Sequence, residues 1–493
     1  MNVQFLLAQG NEYLPENLGS NINTVCDEIF PIISPNGSTL YFCRGDCEGN
    51  LGGQDIWFSI KNDKGQWSKA MNIGPPLNNK YNNFVCSVSP DGNTLLLGNV
   101  YNKDGTYEKG LSLSYRTADG WSFPEKVTIK DYYNFNPNAN FFLSNDGHTL
   151  LMTIERDDSH GKRDIYVSFL TKNGEWTAPI NAGEDINTSD DEISPFLASD
   201  DETLYFSSDG REGYGSADVY MSRRLDETWQ KWSKPLNLGS NVNTPGWDAY
   251  YKIAAQGDYA YFVSESNSIG KSDIFRIKLP ENVRPKPVVL IKGKVTSYKT
   301  YAPVLAQIIY RDVTGEKVAG AARSNLMDGY YEIALPGGTS YNYFAESNDY
   351  IGSNWLLDVT KLTAYKELRQ NLELIPKSDS IFCIRNVFFA RNKADLSNLG
   401  ISEIDKGIEF LLKDSTCIVE ITGHTDSTGT MDLNLKLAAK RVSMVADYMK
   451  SKGIKEDHIL KLAIGFSKPI WSNDTEEGRQ LNRRVEFLVF RKK

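Results

Sequence analysis

Apolar and polar positions along the first 280 residues follow a pattern that returns about every 55 residues. Five segments carry it: Ile33-Ser-Pro-Asn-Gly-Ser-Thr-Leu-Tyr-Phe42, Val88-Ser-Pro-Asp-Gly-Asn-Thr-Leu-Leu-Leu97, Leu143-Ser-Asn-Asp-Gly-His-Thr-Leu-Leu-Met152, Leu197-Ala-Ser-Asp-Asp-Glu-Thr-Leu-Tyr-Phe206 and Ile253-Ala-Ala-Gln-Gly-Asp-Tyr-Ala-Tyr-Phe262. Each reads as an apolar strand, a polar turn of the Asn-Gly and Asp-Gly kind and a second strand, which is the signal of a β-hairpin. A third strand follows in every unit, beginning at Asp55, Gly110, Asp164, Asp218 and Asp273. A fourth begins near Trp67, Trp121, Trp176 and Trp232, commonly as Trp-Ser or Trp-Thr and running on to Asn-x-Gly. Four strands per unit without helical segments predict the blades of a β-propeller. The fifth unit has no fourth strand of its own, whereas Tyr13-Leu-Pro-Glu-Asn-Leu-Gly-Ser-Asn21 matches Trp232-Ser-Lys-Pro-Leu-Asn-Leu-Gly-Ser-Asn241. The N-terminal segment is therefore expected to complete the last blade and close a five-bladed ring over residues 1–280; an open solenoid would strand it.

After Pro280 the period disappears. Arg284-Pro-Lys-Pro287 reads as a stiff extended linker, and residues 288–376 return to a β pattern punctuated at Thr314-Gly315, Asp328-Gly329 and Pro336-Gly337-Gly338, which suggests a small β-sandwich. From residue 381 strands alternate with helices. Ile384 to Ala390 reads as a strand, Ile401, Ile404, Ile408, Leu411 and Leu412 mark an amphipathic helix, and Cys417 to Thr422 is the next strand. A second helix spans about Asp432 to Lys452 and stops at Gly453, and strands near Leu462 and from Arg484 to Phe490 finish an α/β unit of order βαβαββ over residues 381–493. The fold class is thus multidomain.

Family resemblances sharpen each part. The Ser-Pro-Asp-Gly hairpins resemble PD40, or TolB-like, propeller repeats of envelope proteins. Gly329-Tyr-Tyr-Glu-Ile-Ala-Leu-Pro-Gly-Gly338 resembles carboxypeptidase regulatory-like domains, which serve as spacers or adhesion units. Gly423-His-Thr-Asp-Ser-Thr-Gly429, Asn434-Leu-Lys-Leu-Ala-Ala-Lys-Arg441, Gly465-Phe466 and Asn473-Asp-Thr-Glu-Glu-Gly-Arg-Gln-Leu-Asn-Arg-Arg-Val-Glu486 together resemble the OmpA-like peptidoglycan-binding domain. The resemblance implies that Asp426 and Arg441 grip the diaminopimelate of the stem peptide, with Thr425, Asn434 and Asn392 nearby. The chemistry agrees, because the free end of diaminopimelate carries an ammonium beside a carboxylate and needs one fixed anion and one fixed cation, for which the planar guanidinium fork is suited. Ala438 and Val442 depart from the family, which often has Ser and Ala there. The order of the three parts resembles the peptidoglycan-associated PorE-type proteins of the type IX secretion system. That implies outer-membrane or secretion-complex proteins as partners of the propeller and a periplasmic location. Those relatives also carry a helical-repeat region and a lipid anchor, neither of which is visible in this sequence.

Composition narrows the function classes. Lys and Arg number 54 against 63 Asp and Glu, a net charge of -9, so no nucleic-acid partner is expected. No apolar run reaches 18 residues, so no transmembrane helix is expected. Phe5-Leu-Leu-Ala-Gln9 resembles the end of a secretory signal, which suggests a start placed too late. Of the six cysteines, Cys43 and Cys47 flank a short polar turn and favour a local disulfide over a metal site. The four histidines form no metal pair, no nucleophile elbow or phosphate loop occurs, and neither cofactor nor catalytic residue is expected. Counting back equally from the five hairpins puts Glu28, Asn83, Asn138, Glu192 and Asp248 at one level, expected to face a mouth of the propeller channel. Such a ring suits a cation, a basic side chain or a sugar, or is only a solvated rim. With Trp247 beside Asp248 it also frames the alternative to a non-enzymatic tether, a wall-anchored glycan hydrolase using these carboxylates.

Overall fold

Asp-Gly and Asn-Gly turns close the hairpins because glycine accepts the left-handed backbone the turn needs, as at Gly37 with φ +70° and Gly92 with φ +68°. In the computed structural model, which describes residues 13–171, 173–298, 300–312, 318–351, 354–376 and 381–491, the same bond closes successive turns. Ser34, Ser89, Ser144 and Ala198 donate their N–H to the carbonyls of Thr39, Thr94, Thr149 and Thr203. The run Phe5–Gln9 and the turn Thr314-Gly315 lie outside the described residues. The chain forms two compact units. One runs to Leu290 and takes in Glu332–Gly337 and Leu362–Glu367; the other holds Ile291–Tyr331, Gly338–Lys361 and the chain from Leu368 onward.

The first unit consists of small antiparallel sheets consistent with propeller blades. Asp27–Ile33, Thr39–Gly45, Gln54–Ile60 and Met71–Asn72 pair in that order, and the pattern repeats from Val85–Val88, Asn140–Leu143 and Glu192–Leu197. In the last sheet Ala249–Ile253, Tyr259–Ser264 and Asp273–Lys278 are completed by Glu16–Asn17, with Asn17 opposite Phe275. Each first strand neighbours the next, and Ala249–Ile253 neighbours Asp27–Ile33, so the cycle closes.

A recurring polar lock explains the Asp and Asn-x-Gly positions. Asn78 exchanges two hydrogen bonds with the backbone of Ile56 and donates to Asn72, which donates to Asp55. Asp164, Asn181 and Asn187 repeat this, as do Asp218, Asn237 and Asn243. In the last sheet the lock joins the two ends of the ring: Asn17 donates to Asp273 (2.6 Å), and Asn23 donates to Asn17 (2.8 Å) and to Ile274 O (2.9 Å).

Cys26 and Cys47 form the disulfide, which corrects the expected Cys43 pairing. Cys43 lies inside the strand Thr39–Gly45, fully buried and pointing at Asn83 O, so its thiol faces the core and not the turn.

Two sheets carry the region expected as a sandwich: one with Val288–Ser297, Tyr330–Pro336, Tyr350–Ile351, Lys366–Arg369 and Leu372–Pro376, the other with Gln307–Asp312, Val318–Arg323, Ser340–Glu346 and Asn354–Asp358. Beyond them Ile381–Phe388, Arg484–Arg491, Cys417–His424 and Ile459–Gly465 form one sheet in that order, the last pair parallel. Helices α1 (Asn398–Lys413) and α2 (Met431–Ser451) pack on it, burying Ile404, Ile408, Leu411, Val442, Val445 and Met449 against Val419, Ile421 and Phe487. A third helix, α3 (Glu476–Asn482), corrects the expected βαβαββ order; seven residues are too few to show a helical period, but Thr475 caps it by accepting from Gly478 N–H. Among the described residues no helix is long and apolar enough to cross a membrane, and no group of three His, Cys, Asp or Glu could hold a metal.

The lock predicts that Asn23→Ala, by leaving the N–H of Ile274 unpaired in the core and its carbonyl with Leu18 N–H alone, destabilises the first unit by about 2 kcal/mol. Urea unfolding checks this, and an unchanged midpoint would refute the lock's role.

Candidate functional site

The carboxyl end of Cys417–His424 is where the candidate residues gather. Gly423 sets how closely α2 lies on that strand, since a Cβ there would sit 2.7 Å from Ala438 O and 2.7 Å from Val442 Cγ2. Ala438 and Val442, where the chain departs from the resembled family, thus form the helix contact beneath the site and leave its charges alone. Thr425 N–H donates to Gly465 O (3.1 Å) as the chain leaves the sheet, and residues 425–430 then form a loop into α2. Asn434 ties that loop down by donating to Thr428 O (3.0 Å) and Thr430 O (3.1 Å). Ser427 N–H donates to Asn473 Oδ1 (3.0 Å), joining the loop to the segment before α3.

Asp426, only 5% exposed, accepts from Thr428 N–H (2.9 Å) and from Arg483 Nη1 (3.0 Å). Burial alone would raise its carboxyl, but the Thr428 donors and the Arg483 guanidinium outweigh it and hold the group below the ordinary carboxylate range. Arg483 also reaches Glu476 Oε1 (3.0 Å) on α3.

Arg441 has no solvent exposure. Its guanidinium donates to three carbonyls, Lys393 O (2.9 Å), His424 O (3.1 Å) and Ala390 O (3.2 Å), and stacks 4.9 Å from the centre of Phe389. Among the described residues no carboxylate pairs with it. Burial, and secondarily Arg483, pushes its pKa down to about 10, while Asp426 acts the other way. Asp426, Arg441 and Arg483 therefore share one electrostatic neighbourhood, with two buried guanidinium groups against one buried carboxylate.

The structure brings Asp426, Arg441, Asn434 and Thr425 together and buries all four. Asn392 differs: it is exposed, with φ +55°, in the short segment whose carbonyls at 390 and 393 hold Arg441. The sequence reading missed Arg483, the direct partner of Asp426. Its signal was the Asn-Arg-Arg run, in which nothing local separates Arg483 from Arg484, whose guanidinium instead pairs with Glu486 (2.6 Å). His424 is buried 3.5 Å from Glu486, and burial pushes its pKa down.

The expected ring in the first unit is corrected. Glu28, Asn83, Glu192 and Asp248 are buried and turned into loops, while Asn138 alone is exposed. Glu28 accepts from the N–H and hydroxyl of Thr24 and from Arg44 Nε; Glu192 from Thr188 and Ser208; Asp248 from Thr244 and Ser264. Asn83 accepts from Asn79 N–H and donates to Tyr101. Burial raises Glu192 to about 7, yet both its oxygens are occupied. Four of the five do share one level, each accepting from the N–H of the residue four before it, but there they close loops and do not face the channel mouth, and bulges follow between Ile29 and Ile32, Val85 and Ser87, Ile193 and Phe196, and Ala249 and Lys252.

Comparison with known proteins bears on the C-terminal part. Residues 388–483 match the OmpA family. The peptidoglycan-binding protein ArfA of Mycobacterium tuberculosis is 48% identical over 71 residues, 14% of this chain and 22% of that protein, so the chain spans about a fifth of that relative's length. The peptidoglycan-associated lipoprotein of Buchnera aphidicola is 30% identical over 130 residues, 26% of this chain and 72% of that protein. Among solved structures, the OmpA-like domain of FopA1 from Francisella tularensis is 26% identical, covering 22% of this chain and 73% of that one with a TM-score of 0.20.

The titrating groups predict an acid-sensitive site. His424 is depressed when folded, so the unfolded chain takes up its proton first and stability falls as pH drops below about 6.5. Asp426 is depressed too. Glu486 is held at about 2, because Arg484 and His424 outweigh its burial. Their contributions are present above the ordinary carboxylate range and are lost as pH falls towards the folded values. Hydrogen-exchange protection of Cys417–His424 should therefore fall from pH 7 to pH 4 after correction for intrinsic exchange, and His424→Gln should remove the part above pH 5. A flat profile would refute this.

Proposed function

This chain belongs to the OmpA family through residues 388–483, and on that premise we propose that it is a non-enzymatic cell-envelope tether that binds peptidoglycan of the diaminopimelate type. The observation that carries the reading is the buried Asp426 and Arg441 neighbourhood, in which the cation has no acid of its own. The ligand ammonium goes to Asp426, in exchange for or beside Arg483, and its carboxylate goes to the Arg441 fork, replacing carbonyl contacts from the exposed segment around Asn392. Each charge-assisted contact of this kind contributes roughly 1.5 to 3 kcal/mol. Asn434 and Thr425 hold the loop that presents Asp426. The names of the mycobacterial and Buchnera relatives, one peptidoglycan-binding and the other a peptidoglycan-associated lipoprotein, support peptidoglycan as the ligand and an envelope location.

For the remainder, we read residues 1–280 as a five-bladed PD40-type propeller closed by its N-terminal strand, residues 288–376 as a regulatory-like sandwich and residues 381–493 as the wall-binding domain. The closed cycle of first strands and the lock between Asn17 and Asp273 support the propeller. By resemblance to PorE-type proteins, the propeller docks an outer-membrane or type IX secretion complex in the periplasm. The burial of Glu28, Glu192 and Asp248, each with its oxygens held in a loop, speaks against the glycan-hydrolase alternative.

The full chain should sediment with diaminopimelate-type sacculi. Asp426→Ala and Arg441→Lys, folded by circular dichroism, should each weaken that binding at least tenfold. Sedimentation equal to the parent in both variants would refute the assignment.

A further inference from the structure

We propose that the first unit holds a second binding site, a cleft for a short oligosaccharide at the mouth where its innermost strands begin. A cavity of about 800 Å³ opens there, within the range of small-ligand pockets. Its floor is aromatic: Phe30 stacks on Phe84 at 5.3 Å and meets Tyr250 at 4.3 Å, and all three line it. Phe30 and Tyr250 occupy bulges with φ of +54° and +59°, a conformation that is unfavourable for a bulky residue and persists where the fold imposes it. Here it turns two rings onto the floor of the cavity.

The walls carry Tyr107, Tyr133 and Trp247, with Trp247 edge-on to Tyr250 at 5.5 Å and Tyr107 47% exposed. Asn82 and Asn138, both exposed, also line the cavity and carry side-chain amides. An amide offers a donor and an acceptor together, and aromatic faces offer flat apolar platforms. Hydroxyl and acetamido groups alternating with C–H faces, as on a pyranose chain, match both. The charges exclude other ligands. No carboxylate lines the cavity, so it offers neither a metal-ligand set nor the acid pair that glycoside hydrolysis requires. Of its two cations, Arg163 is paired with Asp191 at 2.8 Å, while among the described residues no acid pairs with Lys109. The cleft therefore accepts neutral sugars and those bearing a carboxylate, and it binds without cleaving.

This site lies wholly in the first unit and is independent of the stem-peptide reading. Its test is calorimetric titration of the full chain with N-acetylglucosamine tetramer and, separately, a tetramer containing uronic acid, neither of which carries a peptide. Saturable binding of at least one is expected. Tyr107→Ala and Asn138→Ala, both exposed and so compatible with folding, should each weaken it at least fivefold, and Asp426→Ala should leave it unchanged. Absence of binding to both tetramers, binding insensitive to both cleft variants, or binding abolished by Asp426→Ala would overturn the proposal.

Discussion

A guanidinium held out of water with no acid of its own among the described residues sets the terms for the C-terminal domain. Desolvating a cation costs several kcal/mol unless other groups compensate. Around Arg441 the compensation comes from three carbonyl oxygens and the Phe389 ring, which fix the fork but do not neutralise it. Much else follows from that placement. Gly423 lets α2 approach the sheet closely enough to bury residue 441. The segment from Ala390 to Lys393 is shaped by the carbonyls it contributes, and Asp426 takes its own counter-charge from Arg483 and not from Arg441. The result is a neighbourhood already desolvated and one negative charge short at its buried centre, to which a ligand offering both a carboxylate and an ammonium is electrostatically matched.

In the first unit the corresponding constraint is closure. A ring of sheets leaves no exposed edge only if its ends meet, and here they meet through polar groups as well as strand pairing. Asn17 and Asn23 repeat in the last sheet the roles that Asn72 and Asn78, or Asn237 and Asn243, play within single units. Four sheets of the cycle are thus held by the same local rule, while the sheet of Val85–Val88 has Gly110 in place of the aspartate.

Much of this was legible in the sequence because it is local and periodic. Hairpin turns, the orphan fourth strand and the apolar stripe of α1 each depend on residues a few positions apart. What escaped depends on shifts or long-range contacts. One added residue in a strand turns the side chains past it to the other face, so the bulges at Phe30 and Tyr250 and the loop bonds of Glu28 and Asp248 carried no signal in the spacing. Cys26 meets Cys47 across a loop, while the nearer Cys43 faces inward as its strand position dictates. Asp426 and Arg441 were proposed from their motif. Arg483 was not, because its role is set by α3, whose one short turn of sequence carries no periodic signal.

On the proposed reading Asp426 and Arg441 make a specific demand on the ligand, since lysine at the same stem position offers the ammonium without the neighbouring carboxylate. Calorimetric titration of the full chain with a soluble stem tripeptide ending in diaminopimelate, against the same tripeptide ending in lysine, tests this most directly. A preference of at least tenfold for the diaminopimelate peptide is predicted; equal affinity for the two would contradict the assignment of Arg441 as the carboxylate receptor.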